Sequence, residues 1–437
     1  MKRLFLLALG ALVLVPLWAQ NAPTSSPNSS ADTSVIEGLF NNPPPDKVDK
    51  NPRQSVNPNL YTGQSMKFFE NVKASGYYVG GWDKTYQGAV GTPYNSLDFT
   101  FGTDVRVDPT VRAYASLDVL YPQPINNPNQ TNAFNPYINN LPSQGNLTFS
   151  TLTVKEIFLD YTLYNQVFFR LGRQSLVWGQ GRLFNPGNFV NDIADGVAAK
   201  AVTTVDGFNL TGVVIKNDSF YNVSAADTAS TSSLAEAGMV ESSLGPLNWG
   251  LSGFYQKMLG YKADLYLKSY FFNTDWFVEG VAEHVAAAGD WIPSAVAGAY
   301  HEFTWGTTSW LKVEAEYMFS GRGGGANESF NVTPTTFYGY NDQSVGVGLS
   351  SDALNFVNLK PTFSWLTALK DGSGQMILAL TNTTIPHLEI SGAVVYIYGP
   401  DNGRYVLDNP DTTEHRVLSF TLKVSFTLDG ETGTKSS

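Results

Sequence analysis

The segment His415–Leu428, HRVLSFTLKVSFTL, poses the question on which the fold of this chain turns. Leu418, Phe420, Leu422, Val424, Phe426 and Leu428 are apolar, and Ser419, Thr421, Lys423, Ser425 and Thr427 between them are polar. A period of two is a β-strand with one apolar and one polar face. In a water-soluble sandwich the apolar face meets a core and the polar face meets solvent. In a membrane barrel the apolar face meets lipid and the polar face lines a lumen.

Composition leans toward the membrane. Only 15% of the 437 residues are charged, where a soluble domain averages about 25%. Tyr, Phe and Gly are plentiful, at 22, 27 and 40 residues, a mixture that favours strands and turns over helices. The first residues, MKRLFLLALGALVLVPLWAQ, have a basic start, an apolar run from Leu4 to Val15 and a small residue at Ala19. They read as a secretory signal peptide over 1–19, too short to span a bilayer as a helix. There is no cysteine, so neither lipidation at a Cys nor a disulfide framework is available. After the signal no apolar run approaches the roughly 18 residues of a transmembrane helix. Removing Lys2 and Arg3 from the 27 basic residues leaves 25 against 38 acidic ones, a net charge of −13 that speaks against nucleic acid as a partner.

Residues 20–66 are rich in Asn, Pro and Ser (NAPTSSPNSSADTS, NNPPPDK, NPRQSVNPN) and read as a flexible periplasmic leader that cannot bury enough apolar surface to fold alone. From Lys73 onward the period of two keeps returning. Leu311, Val313, Ala315, Tyr317 and Phe319 alternate with Lys312, Glu314, Glu316 and Met318. The pattern predicts eighteen strands, among them 72–82, 97–108, 150–164, 167–174, 205–215, 219–225, 235–243 and 414–427. Sixteen is the alternative count, because 219–225 and 235–243 are the least regular. Connections after even-numbered strands are short, and those after odd-numbered strands include 83–96, 122–149, 175–204, 226–234, 321–343 and 399–413. Such long–short alternation marks an outer-membrane barrel, and a sandwich has no reason to show it. The expected fold is all-β, a transmembrane antiparallel up-and-down barrel over 67–428 with a short tail over 429–437, in the outer membrane of a diderm bacterium. Trp82, Trp276, Trp310 and Trp365 fall near strand ends, where interfacial aromatic girdles belong.

One segment departs from the strand pattern. Val167–Thr204, VFFRLGRQSLVWGQGRLFNPGNFVNDIADGVAAKAVTT, begins as the fifth strand and then loses regularity at Gly179, Gly181, Pro186 and Gly187. A barrel of this size leaves an open aqueous hole unless something constricts it, so loop 175–204 is expected to fold inward. Arg170, Arg173 and Arg182 are the candidate basic side of the constriction, with Asp192 and Asp195 as an opposing acidic wall. The alternative is that these charges tie the loop to the wall by internal ion pairs. Asn185 and Pro186 suit a turn or helix cap, and Trp178 suits packing under the folded loop better than a sugar-stacking platform.

The run LGRQ (Leu171–Gln174), then WG (Trp178, Gly179), then NP (Asn185, Pro186) resembles that of a group of large proteobacterial and spirochaetal porin-like barrels. The resemblance covers about twenty residues and implies a pore or substrate channel without naming a solute. One departure is the C-terminus: many outer-membrane proteins end in an aromatic residue, whereas here Phe426 is followed by TLDGETGTKSS.

No catalytic constellation emerges. Glu279 with Glu283, and Glu314 with Glu316, share strand faces and read as solvated wall charges. His284, His301, His387 and His415 are scattered without triad or metal-ligand spacing, and GRGGGAN at Gly321 lacks the strand-to-helix context of a phosphate loop. Neither enzyme activity, metal nor cofactor is expected. The expected partners are outer-membrane lipid, small hydrophilic solutes or ions, the outer-membrane assembly machinery and, for a barrel that oligomerises, further copies of the chain. A surface adhesin or structural protein with an occluded lumen is the alternative to a channel.

Overall fold

A computed structural model describes residues 65–83, 88–108, 110–121, 153–188, 197–216, 234–256, 260–285, 291–305, 309–321, 343–352, 354, 357–400, 405 and 416–435. Eighteen strands succeed one another: β1 (Ser65–Asp83), β2 (Gly88–Asp108), β3 (Val111–Tyr121), β4 (Thr153–Leu163), β5 (Val167–Arg173), β6 (Val197–Val205), β7 (Phe208–Lys216), β8 (Leu234–Leu244), β9 (Leu247–Gln256), β10 (Gly260–Phe271), β11 (Thr274–Val285), β12 (Trp291–Trp305), β13 (Ser309–Ser320), β14 (Gln343–Ser351), β15 (Leu359–Ala368), β16 (Gly374–Asn382), β17 (Leu388–Tyr398) and β18 (Arg416–Lys435). Each strand pairs antiparallel with its sequence neighbours, and β1 pairs with β18 to close the ring. Closure lets neighbouring strands satisfy the backbone N–H and C=O groups, the condition for crossing hydrocarbon with strands.

The short connections are built by backbone conformation. Tyr164 and Asn165, Asp206 and Gly207, and Phe272 and Asn273 all have positive φ. Two successive left-handed residues make the tight hairpin turn whose twist matches the flanking strands. Asp206-Gly207 also corrects the strand list. The sequence reading ran a strand through 205–215, whereas this turn separates β6 from β7 and returns 197–205, assigned above to a loop, to the barrel wall. The expected strand 219–225 lies outside the described residues, so the agreement at eighteen comes with a different sixth strand. β2 starts at Gly88, well inside the expected loop 83–96. β1 begins at Ser65 and β18 runs on to Lys435, through the expected tail, with Ser65 opposite Lys435. β17 accounts for β18 only as far as Phe426; beyond it the ladder of β18 is with β1.

The pleat sorts the side chains. On β10, Tyr261, Leu265 and Leu267 are exposed on the outside while Asp264 and Tyr266 are buried inside. On β18, Leu422, Val424 and Leu428 are outside and Ser419 and Ser425 inside; Lys423 stands over the Tyr77 ring at 5.5 Å. The apolar set of the opening stretch therefore covers the outer surface. That surface carries two aromatic belts. One, on the short-turn side, includes Tyr164, Phe272, Trp276, Phe303 and Trp305; the other includes Tyr261, Trp291 and Tyr396, with Tyr255 stacked on Tyr261 at 4.8 Å and Trp365 Nε1 donating to Tyr398 at 2.7 Å. From Tyr261 to Phe271, ten steps of about 3.3 Å at a tilt near 40° give a band roughly 25 Å tall, the height of an outer-membrane apolar belt. Trp310 departs from the expected girdle: it shares the inner face with Lys312, whose Nζ lies 4.8 Å from its ring centre.

Candidate functional site

The buried apolar residues form two clusters, and the segment after β5 contributes to both. Leu176 and Trp178 pack with Ala198, Val213, Ile215, Ala235, Phe254 and Val281, side chains from β6 to β11. Phe184 packs with Phe277, Val296, Met318, Leu366 and Ile377 among others, with Leu183 against them. Residues 174–188 therefore lie inside the barrel, fastened by Trp178 at one place on the wall and by Phe184 at another. Trp178 and Phe184 are 6% and 1% exposed, so Trp178 is packed rather than presented as a platform.

Local chemistry explains the shape of this segment. Gly172, at φ 133°, comes so close to the backbone of β4 that a β-carbon would strike the carbonyl oxygen of Ile157. Gln174 donates to the carbonyl of Ala198 at 3.2 Å and ties the exit of β5 to β6. Asn185 Nδ2 donates to the Trp178 carbonyl at 3.0 Å, and Asn188 Oδ1 accepts the Trp178 N–H at 2.9 Å. Asn188 N–H donates to the Asn185 carbonyl at 3.2 Å, closing a turn over Asn185-Pro186-Gly187-Asn188 with proline at its preferred second position. The residues of LGRQ, WG and NP thus fold the segment back on itself.

Two carboxyl groups hold it down. Glu316 of β13 accepts the backbone N–H of Arg182 at 2.7 Å through Oε1, and those of Leu183 and Phe184 at 3.0 and 2.8 Å through Oε2. Glu279 of β11 accepts the N–H of Gln180 at 3.0 Å. Three consecutive N–H groups converging on one carboxyl make a nest, among the stronger hydrogen-bonding arrangements a backbone offers. Glu279 and Glu316 are 0% and 3% exposed, so the sequence reading of solvated wall charges is wrong for these two. The ladder shows how room is made. Phe277, Gly298, Glu316, Gly346 and Leu366 are successive cross-strand partners from β11 to β15. A side chain at Gly298 would strike Phe277 and Glu316, and one at Gly346 would crowd Leu183 and Phe184. Two missing side chains leave the recess that Phe184 fills.

The predicted arginines separate. Arg182 lies over the Tyr300 ring at 3.8 Å with Nη2 3.8 Å from Asp275, on the β11–β12 wall. Arg170 makes a two-pronged pair with Asp160 at 2.7 and 3.0 Å, stacked over Phe158 at 3.9 Å, six strands away around the ring. Arg173 stands in the ladder opposite Ile157 and Val197, both exposed on the outer face, so the pleat does not bring it together with Arg170. Asp192 and Asp195 lie outside the described residues. What sequence reasoning missed is a different basic row. Arg106, Arg112, Asp160, Arg170 and Lys200 are successive cross-strand partners from β2 to β6. Arg112 also grips Asp104 at 2.8 Å and reaches Asp160 at 3.5 Å. The signal was the even spacing of these charges on inward positions, but the register that aligns them belongs to the sheet.

No protein-family model matches the chain, and no curated protein sequence does. Among solved structures, it is similar to OpdK of Pseudomonas aeruginosa, crystallised with vanillate, at 13% identity and a TM-score of 0.50 over 83% of this chain and 99% of that one. It is also similar to a BenF-like porin from Pseudomonas fluorescens Pf-5, at 12% identity and a TM-score of 0.51 over the same shares. At these identities the likeness is one of fold: a closed, eighteen-stranded antiparallel barrel.

Proposed function

We propose that the chain is an outer-membrane channel of a diderm bacterium through which small hydrophilic solutes diffuse, with the loop after β5, residues 174–188 foremost, forming the constriction. The observation that carries this reading is the seating of that segment inside the barrel on Glu279 and Glu316. A barrel that served only as a surface scaffold has no need to build a recess with Gly298 and Gly346 and close it with a loop. The LGRQ, WG and NP residues then mark a way of folding this loop shared with other large porin-like barrels. The row Arg106, Arg112, Arg170 and Lys200, partly neutralised by Asp104 and Asp160, offers a basic strip on the wall and favours anions. A small carboxylate such as the vanillate found with OpdK is of the class such a strip attracts. The reading gives diffusion through the pore, with no chemistry on the solute.

Purified protein in planar bilayers tests it. Discrete channels are expected, with permeability to small anions exceeding that to cations of equal size, and with a severalfold rise in conductance when 180–188 is shortened. A wild-type protein that inserts as a heat-modifiable barrel and never conducts would replace this reading with that of a surface protein with an occluded lumen.

A further inference from the structure

On the outside of the barrel, away from the short turns, runs a row of side chains that a pore does not use. Glu236 of β8, Tyr255 of β9, Tyr261 of β10, His284 of β11 and Trp291 of β12 are successive cross-strand partners. The pleat turns all of them to the lipid side. Ala235 and Ala237 pack inward, which puts Glu236 outside. Phe254, Glu279 and Val281 are buried within, which puts Tyr255 and His284 outside, and Tyr261 and Trp291 are 54% and 63% exposed. The rings follow one another without a gap. Tyr255 is stacked on Tyr261 at 4.8 Å, Tyr261 is 6.0 Å from the His284 ring, and His284 meets Trp291 edge-on at 5.1 Å.

An interfacial belt accounts for the tyrosines and the tryptophan. It does not account for a carboxylate at one end of the row or a histidine within it. An ionisable group on a lipid-facing position is costly, because hydrocarbon offers it neither water nor a hydrogen-bond partner. Glu236 stands between Val214 and Tyr255 in the ladder and makes no ion pair among the described residues. His284 Nδ1 is buried and has no hydrogen-bond partner among them either. Polar partners have to come from outside the chain, and height says from where. Glu236 stands eight residues above Leu244, the short-turn end of β8, Tyr261 ten above Phe271 of β10, and Trp291 fourteen above Trp305 of β12. The row therefore climbs from the upper edge of the apolar band into the headgroup level of the outer leaflet, since the short turns of such barrels are periplasmic. What fills it must bring a hydrogen-bond donor at its acyl end and flat apolar faces above. A phosphate is repelled by Glu236. A saccharide meets both demands, with hydroxyl or amide groups that donate to a carboxylate and C–H faces that lie against aromatic rings.

We propose that this row is a binding site for an outer-leaflet glycolipid. The saccharide headgroup lies along Tyr255, Tyr261, His284 and Trp291, and a hydroxyl or amide N–H near its acyl end donates to Glu236. Three strand spacings of about 4.8 Å make the aromatic part of the row about 14 Å long, room for more than one sugar ring. The row is continuous with the apolar outer surface that lipid already covers, so a lipid reaches it without any further assembly. The site stands on the outside of the wall and does not depend on whether the lumen conducts.

The test offers the purified full chain digalactosyl diglyceride, phosphatidylcholine and phosphatidylglycerol with the same acyl chains, and counts the lipid retained by native mass spectrometry. The wild type should hold the galactolipid about tenfold over phosphatidylcholine. Glu236→Ala and Trp291→Ala should each bring the two lipids to within about twofold of each other, while both variants remain heat-modifiable barrels, since neither side chain takes part in closing the sheet. Equal retention of the galactolipid and phosphatidylcholine by the wild type overturns the proposal, and that comparison needs no variant to fold. It is also overturned by a preference that persists in both variants, or by retention of phosphatidylglycerol above the other two, which would make the row an anion site. A wild-type dimer that Trp291→Ala converts to monomers would give the row to a second copy of the chain instead.

Discussion

Two rungs of the same barrel use a buried carboxyl group in opposite ways. On the rung from β2 to β6, Asp160 stands between Arg112 and Arg170 and is answered by their guanidinium groups. On the rung from β11 to β15, Glu316 stands between Gly298 and Gly346 and is answered by three backbone N–H groups more than 130 residues away in sequence. The difference is in the neighbours. Long cations fill the space beside Asp160 and brace the wall; glycines leave the space beside Glu316 empty, and a loop must come in to fill it. An inner-wall acid flanked by glycines in the ladder is thus a docking point, and one flanked by arginines is part of the wall.

Breaking the docking rung should have the largest effect. Glu316→Ala leaves three N–H groups without an acceptor and should cost on the order of 3 kcal/mol in seating the segment. Limited proteolysis should then cut within 174–188, and single-channel conductance should rise severalfold; a segment as protease-resistant as in the wild type would show that apolar packing alone holds it. Breaking the bracing rung should cost less and act on selectivity. In Asp160→Asn the arginines keep a neutral partner, so stability should fall by about 1–2 kcal/mol, while the reversal potential in a salt gradient shifts further toward anions. A shift toward cations would mean that the arginines do not face the permeating ions.

Filling the recess tests the glycine argument from the other side. Gly346→Ala adds one methyl against Leu183 and Phe184, an overpacking cost of about 1–3 kcal/mol that falls on the segment rather than the barrel. Heat modifiability should be unchanged while conductance noise increases. The smallest effect is expected at Arg173, which the ladder sets apart from Arg170. Arg173→Ala should leave the reversal potential where it is; a large shift would place its side chain in the ion path after all.

The wall was legible in the chain's own residue pattern. Period-two alternation needs only the pleat, and the exclusion of charge from one face needs only lipid, so His415–Leu428 was enough to distinguish outside from inside, and the long–short alternation of connections was enough to indicate a barrel. The hairpin at Asp206-Gly207 was written there too, because a left-handed pair is a local property of those two residues, although a run of apolar residues on either side obscured it. That residues 174–188 lie inside the barrel was legible from their glycines and from the hole a large barrel leaves, whereas 197–204, which the sequence reading gave to the same loop, belong to β6. What held 174–188 there was not legible, because Glu316 looks like any other inward acid on β13 until Gly298 and Gly346 are known to flank it. Likewise Arg170 and Arg182 stand close together in the sequence and end on different walls, since one rides a strand and the other a loop that crosses the lumen. These points emerged only from the folded barrel, and for one physical reason: local pattern dictates which face a side chain takes, whereas its partner is set by the register of strands tens to hundreds of residues apart.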